Sequence, residues 1–267
     1  MVFIISDLKK ALLQNLPLWQ FDSFTSVKHF VSGRDGGVSP LPFESLNLSY
    51  SAGDENENVI ENRKRIAKSL GVEVDHLLFI NQCHSSDVVI VRSKEDAGGQ
   101  IFADALVTDV KGLCICVMGA DCVPILVYDT VNKVVAAVHA GWKGTVASIL
   151  TKTLSKMQTE FDCKMENILI GIGPSISQEK YEVGEEVYLQ FKENFGADSD
   201  LIFIHNSETN KYFPDLWLAN KMQAMKMGVL EHNIEIARIC TFSNPEEFFS
   251  ARYFKNKTGR FAAGIVL

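Results

Sequence analysis

The sequence predicts an α+β fold, a mixed-sheet α/β sandwich forming one domain over residues 1–267. Several short, β-branched apolar runs are joined by connections too short to hold a helix, which favours antiparallel pairing in part of a sheet. Helical segments are interspersed among these runs without strict βαβ alternation. No repeat or Pro/Gly-rich linker divides the 267 residues, and 46% of them are hydrophobic, enough for a large core.

The elements follow in order along the chain. A helix is predicted over 55–70 with Gly71 as its C-cap, and another over 145–157, just after Gly144. Residues 34–42 form a loop punctuated by Gly and Pro, and 129–132 form a hairpin turn. Strands are predicted at 24–31, 77–80, 88–91, 113–118, 123–128 and 133–138. The segments 168–172, 184–194, 201–204, 216–227 and 234–239 continue as a mixture of strands and helices.

Charge and composition limit the classes of partner that the protein can bind. The net charge of −7 includes no block of like charges, which argues against nucleic acid or an anionic membrane as the main partner. No uncharged apolar run approaches the length of a membrane span. The first residues have an apolar run before the basic residues, the reverse of a secretory signal, and six cysteines suit a reducing compartment. We therefore expect a cytoplasmic protein, monomeric or homodimeric.

Three widely spaced residues carry the chemical signal. His84, Cys122 and His139 each fall where an apolar run stops or breaks, which is where a sheet delivers side chains to its rim. Two imidazoles and a thiolate can hold zinc with its fourth position open to water, as in catalytic sites. Each residue is also compatible with ordinary packing, since buried cysteine behaves as a small hydrophobe and no close ligand pair is present.

A glycine-rich turn follows His139. Gly141 and Gly144 flank Trp142 and Lys143 just before a predicted helix, so backbone N–H groups and Lys143 could hold an anion such as phosphate. The P-loop spacing is absent, and the glycines could equally serve only a tight turn.

Several motifs resemble the YfiH-like family, which is also labelled the laccase-domain or multicopper polyphenol oxidase family. The matching runs cover the chain from about residue 30 to its end: 34–39, 45–48, 62–63, 102–109, 119–126, 137–145, 171–174, 181–183, 215–217, 249–250 and 258–260. The resemblance implies a compact fold of the predicted type, with zinc at the sheet edge.

The resemblance also implies a function in purine nucleoside metabolism. Such enzymes split adenosine, inosine and methylthioadenosine with phosphate, giving a base and ribose 1-phosphate or its methylthio form, and adenosine deaminase activity is assigned to them as well. Phosphorolysis needs a cationic or N–H-lined cradle for phosphate, and deamination needs an activated water.

Further residues become candidates through the resemblance. Arg34 and Asn47 lie in polar loops and Arg63 in a charged helix, where each would otherwise be read as a solvated surface residue. The resemblance makes Arg34, Asn47 and Arg63 candidate phosphate or ribose contacts, and the glycine-rich turn adds Lys143 as a candidate substrate contact. The resemblance also makes Arg63 and Asp104 candidate catalytic residues beside Cys122.

Three rival readings stay open. The same trio with Met118 as a weak axial ligand would suit copper and a laccase-like polyphenol oxidase, although six histidines without any His-x-His are few for a multicopper enzyme. Cys122 could be a nucleophile with His139 as its base, as in a hydrolase. A non-catalytic binding module would need neither metal nor turnover.

Overall fold

The computed structural model describes residues 8–14, 16–98 and 100–267, so the apolar start at residues 1–5 lies outside them. The described chain contains fourteen strands and six α-helices. The strands are β1 Lys9–Leu13, β2 Leu16–Gln20, β3 Lys28–Ser32, β4 Leu77–Phe79, β5 Val88–Val91, β6 Ala105–Thr108, β7 Cys114–Gly119, β8 Val123–Asp129, β9 Val134–Ala140, β10 Ile168–Ile172, β11 Phe203–Asn206, β12 Lys211–Pro214, β13 Ile234–Ile236 and β14 Phe261–Val266. The α-helices are α1 Asn56–Leu70, α2 Trp142–Val146, α3 Ile149–Phe161, α4 Glu185–Phe195, α5 Ser199–Ile202 and α6 Leu216–Lys226. None of these helices has the length and apolarity needed to cross a membrane.

Two six-stranded mixed sheets form the centre of the fold. The first has the strand order β1-β2-β3-β14-β7-β4 and the second the order β13-β10-β8-β9-β6-β5, while β11 and β12 make a separate hairpin. Most neighbours are antiparallel, but the β4/β7, β5/β6 and β10/β13 pairs are parallel. The mixed-sheet α+β prediction is therefore confirmed.

Three apolar clusters stack the elements into four layers. Between the sheets, Ile115 and Val117 of β7 meet Leu126 of β8 and Val135 of β9. The outer face of the first sheet packs on α1. The outer face of the second packs on α3, α4 and α6. Because the central strands β7, β8 and β9 are covered on both faces, they are nearly continuous apolar runs, as fully buried strands should be.

Local signals explain how α1 ends and why the second predicted helix is divided. Gly71 adopts φ 67° and its N–H bonds to the carbonyls of Ala67 and Lys68, the αL cap expected of glycine. The helix predicted over 145–157 is instead two helices, because Ser148 takes φ 59° between α2 and α3. Strands β1, β2, β6, β12 and β14 were not predicted as strands.

The chain crosses between the two sheets near the predicted metal ligands. Residues 80–87 connect β4 of the first sheet to β5 of the second, and residues 120–122 connect β7 to β8 in the same way. His84 and Cys122 lie on these crossings. His139 is the penultimate residue of β9, beside Pro124 of β8, so all three reach one rim of the sandwich.

Candidate metal centre and cavity

The loop that carries His84 is folded around one carboxylate. Asp104 Oδ2 accepts hydrogen bonds from the N–H groups of Cys83 (3.2 Å) and Ser85 (2.7 Å) and from Ser85 Oγ (3.0 Å). Asp104 Oδ1 accepts from the N–H of His84 (3.1 Å). This arrangement holds His84 at φ 58°, a conformation that few residues other than glycine adopt.

The same carboxylate orients His139. Both side chains are buried, and His139 Nδ1 donates to Asp104 Oδ1 at 2.8 Å. A histidine that donates through Nδ1 has its Nε2 lone pair free for a metal, and a carboxylate behind the ring fixes that tautomer. Asp104 is fully buried, and its hydrogen bonds fix both the ring of His139 and the backbone of His84.

Cys122 completes the trio at the β7–β8 crossing. The side-chain donor atoms of His84, Cys122 and His139 all lie within 4.8 Å of one another, and the two imidazole rings stand edge to face with centroids 5.0 Å apart. Gly141 leaves room for the thiol, since a Cβ there would be 2.9 Å from Cys122 Sγ. Tetrahedral zinc with this donor set places its ligand atoms about 3.5 Å apart, so the residues fit the metal.

The pKa values reflect this crowding of donors. Burial would raise the pKa of Cys122, but the nearby imidazoles of His139 and His84 outweigh it and lower the pKa to about 6. Burial would likewise lower the pKa of His139, yet Cys122 and Asp104 raise it to about 9. Without a metal, the pair is therefore a thiolate and an imidazolium near neutral pH. A thiolate is the form that binds metal or acts as a nucleophile.

A cavity of about 740 Å³ opens beside the trio, within the range of small-molecule sites. It is lined by the trio and by Ser49, Tyr50, Ser51, Arg63, Phe79, Ile80, Asn81, Gln82, Gln100, Met118, Gly119, Ala120, Ala251, Asn256 and Arg260. Two arginines and no Asp or Glu stand among these described lining residues. The cavity therefore suits an anionic ligand.

Arg63 reaches the cavity from α1. Its guanidinium lies between two aromatic rings, 4.3 Å from the centroid of Tyr50 and 3.9 Å from that of Phe79. Nε and Nη2 both donate to the carbonyl of Leu48, at 3.0 and 2.8 Å. Burial lowers the pKa of Arg63. Among the residues that the structure describes, no carboxylate forms an ion pair with it, so one edge of this partly buried cation is left for a ligand.

Arg260 is a cavity residue that sequence reasoning missed. It precedes β14, whose Phe261 pairs with Gly119 and so places Arg260 beside the corner that carries Cys122. Its Nη1 donates to the carbonyls of Thr258 and Gly259, both at 2.9 Å. The run 258–260 was among the matching motifs and could have pointed to it.

The other predicted contacts lie elsewhere. Arg34 packs on the ring of Phe254, and its Nε donates to the carbonyl of Glu44 at 2.9 Å. Asn47 is fully buried, and its Oδ1 accepts from the N–H of Arg260 at 3.0 Å, so it supports the cavity wall. Lys143 is exposed, and neither it nor Arg34 or Asn47 is among the described lining residues.

No second metal cluster of three His, Cys or acidic residues occurs within residues 8–14, 16–98 and 100–267. His29 instead lies in the core, where its Nε2 accepts from the N–H of Phe21 at 2.8 Å. His205 stacks on Tyr212 with ring centroids 4.4 Å apart. In this part of the chain, the paired histidines of a multicopper cluster are absent.

A family model described as multi-copper polyphenol oxidoreductase laccase matches residues 28–267 of this chain. The chain belongs to this family. A purine nucleoside phosphorylase of Bacteroides thetaiotaomicron is 40% identical over 252 residues, covering 92% of this chain and 93% of its own. An adenosine deaminase named RL5, from an unknown prokaryotic organism, is 33% identical over 251 residues, 91% of this chain and 93% of its own. The crystal structure of YlmD from Geobacillus stearothermophilus superimposes with a TM-score of 0.92 at 29% identity, covering 98% and 99% of the two chains. The YfiH-like resemblance is confirmed, and the relatives' names indicate an enzyme that processes purine nucleosides.

Proposed function

We propose that the protein is a zinc-dependent purine nucleoside phosphorylase that cleaves adenosine, inosine and methylthioadenosine with phosphate. The observation that carries the proposal is a partly buried guanidinium without a carboxylate partner among the described residues, in the same cavity as the trio. A buried cation is costly unless it is paired, so Arg63 favours an anionic ligand such as phosphate.

The residues have separate roles in this proposal. His84, Cys122 and His139 hold zinc, which supplies a Lewis acid at the cavity wall when bound. Arg63 grips phosphate, and Arg260 adds a second cation near Cys122. Asp104 acts through His139 and the His84 loop. The bond between C1′ of the ribose and the purine nitrogen breaks, and an oxygen of hydrogen phosphate bonds to C1′. Overall, the proton that hydrogen phosphate loses is gained by the departing base.

Adenosine deamination is a second candidate activity of the same cavity. One relative is named an adenosine deaminase, and an open zinc position supplies the activated water that deamination needs. Ammonia and inosine released from adenosine without phosphate would identify it. Copper-dependent oxidation has less support, because the described residues contain a single trio.

The test of the proposed function is inosine cleavage with and without phosphate. We expect hypoxanthine and ribose 1-phosphate only when phosphate is present, and free ribose when arsenate replaces it. Arg63→Ala should lower turnover about a hundredfold, because a cation that stabilises transition-state charge is worth several kcal/mol. Arg65→Ala is the matched control, since Arg65 lies on the same helix but pairs with Glu61 outside the cavity.

Metal content gives an independent check. We expect about one zinc per chain, lost in Cys122→Ala without loss of the fold. Stoichiometric copper with a strong blue absorbance would overturn the zinc assignment. Cleavage of inosine without phosphate would identify a nucleoside hydrolase, and activity that persists in zinc-free protein would favour Cys122 as a nucleophile.

A further inference from the structure

Asp121 stands between a cavity-lining residue and a proposed metal ligand, in an unusual backbone conformation. It follows Ala120 and precedes Cys122, and its φ is 95°. L-residues with side chains rarely adopt positive φ, and an aspartate there is commonly held by the hydrogen bonds of its own carboxylate. Only 9% of its surface is exposed.

Three hydrogen bonds hold Asp121 on three sides. Its Oδ1 accepts from the hydroxyl of Thr241 at 2.7 Å, and its Oδ2 accepts from the N–H of Arg252 at 2.7 Å. Its own carbonyl accepts from the N–H of Ile176 at 3.0 Å. Thr241 is fully buried, so the clamp is anchored in the core on one side and in a surface turn on the other.

The turn held by this clamp belongs to the cavity wall. Arg252 lies in residues 250–260, and Ala251, Asn256 and Arg260 of this segment line the cavity. One carboxylate thus connects the corner that presents the Cys122 thiol to the segment that closes the cavity beside it.

We propose that Asp121 is a positioning residue for both the metal ligand Cys122 and the cavity wall 250–260. The proposal rests on the proposed function only in taking the trio as a metal site. The hydrogen bonds, rather than the charge or the positive φ alone, position the two segments, because the groups that donate to the carboxylate are the Thr241 hydroxyl and the Arg252 backbone N–H, and both are neutral.

Three substitutions separate these causes. Asp121→Asn keeps both bonds, since its Oδ1 can accept from the N–H of Arg252 while its Nδ2 donates to the Thr241 hydroxyl, which both donates and accepts. Asp121→Gly permits positive φ but removes the clamp. Asp121→Ala removes the clamp and disfavours the backbone conformation.

The first measurement is the zinc dissociation constant of the full chain, obtained by competition with a chelator. We expect Asp121→Gly and Asp121→Ala to weaken zinc binding about 10- to 100-fold, the usual effect of losing a group that orients a ligand. Asp121→Asn should stay within about threefold of the wild type. With Co²⁺ in place of zinc, the thiolate-to-cobalt absorption band should shift in the Gly and Ala variants only.

The second measurement reports on the cavity wall without any metal. Arg252, Lys255 and Lys257 are exposed sites for trypsin. Cleavage there should be roughly tenfold faster in the Gly and Ala variants and unchanged in the Asn variant. In nucleoside assays at saturating zinc, the Gly and Ala variants should raise KM more than they lower kcat.

If Asp121→Gly keeps the zinc affinity and trypsin resistance of the wild type, the positioning depends on backbone conformation alone. If Asp121→Asn loses them, the positioning depends on the charge of the carboxylate. Either result overturns the proposal. A wild-type protein that binds zinc but cleaves no nucleoside would instead refute the proposed function, and the zinc and trypsin measurements would still decide the role of Asp121.

Discussion

Asp104→Asn is the perturbation that most directly tests how the candidate site is built. An amide keeps the shape of the carboxylate but turns one acceptor into a donor. If Nδ2 replaces Oδ2, it faces the N–H groups of Cys83 and Ser85; if it replaces Oδ1, it faces His84 N and His139 Nδ1. In either orientation two donors lose their acceptor, at about 1–3 kcal/mol each.

The expected loss of stability is therefore about 2–6 kcal/mol, or roughly 5–20 °C in Tm for a domain of this size. Zinc affinity should fall about 10- to 100-fold, because the tautomer of His139 is no longer fixed. Thermal unfolding of metal-free protein and chelator competition measure the two effects. Asp87→Asn is the control, since Asp87 is an exposed carboxylate at the end of the same loop.

The stability lost in Asp104→Asn should also depend on pH. Although burial opposes it, hydrogen bonds from His139 and the loop N–H groups hold the pKa of Asp104 well below its usual range. A depressed pKa contributes stability above the unfolded value of about 4, and this is lost as pH falls through the folded value. The difference in unfolding free energy between wild type and Asp104→Asn should be constant from about pH 5 to 6 and narrow below pH 4. It should narrow again as pH rises towards 9, because Asp104 also helps to raise the pKa of His139 to about 9 and that stabilisation is lost as His139 loses its proton. Wild-type stability and zinc affinity in Asp104→Asn would refute this account.

Three further predictions follow from the cavity and the trio. In metal-free protein, the absorbance of the Cys122 thiolate at 240 nm should titrate near pH 6, and His139→Ala should move the pKa of Cys122 above 8. The stability that the Cys122–His139 pair contributes should be lost as pH falls through about 6 or rises through about 9. Titration of Cys122 near pH 8.5 in the unmutated protein would contradict this prediction. Gly141→Ala should weaken zinc binding at least tenfold with an unchanged circular dichroism spectrum, because its Cβ would lie 2.9 Å from the thiol sulfur, and an unaltered zinc affinity would speak against this crowding. Arg260→Ala should retain zinc but lower kcat/KM for inosine phosphorolysis about 10- to 100-fold, and full activity would exclude it as a substrate contact.

Much of the fold could be predicted from sequence because the inner strands are buried on both faces. The segments 123–128 and 168–172 are uninterrupted apolar runs, and the structure has strands there. The break between α2 and α3 gave no such signal, since serine at positive φ carries no residue-type signature. Strand β1 was missed because it is an exposed edge strand with two lysines and no apolar alternation.

The candidate site likewise contains residues that the sequence predicts and residues that it does not. His84, Cys122 and His139 were singled out because each stands at the end of an apolar run, and the structure brings them together. Arg260 was missed because an arginine before a strand looks like a surface residue until the pairing of Phe261 with Gly119 is known. Asp104 was predicted as a catalytic group, whereas its burial and five short contacts favour a positioning role, which residue type alone does not reveal.

The crossings between the two sheets have a consequence for how the proposed zinc site would acquire its metal. Two of the three proposed ligands sit where the chain passes from one sheet to the other, and the three are spread over residues 84 to 139. An unfolded chain offers no such constellation, so zinc should be captured only after the sheets have docked, and the ion then ties them together. At a free concentration of a hundred times its dissociation constant, it would add about 2.7 kcal/mol to the native state. A shortage of zinc would then shorten the lifetime of the protein in the cell as well as abolish the proposed activity.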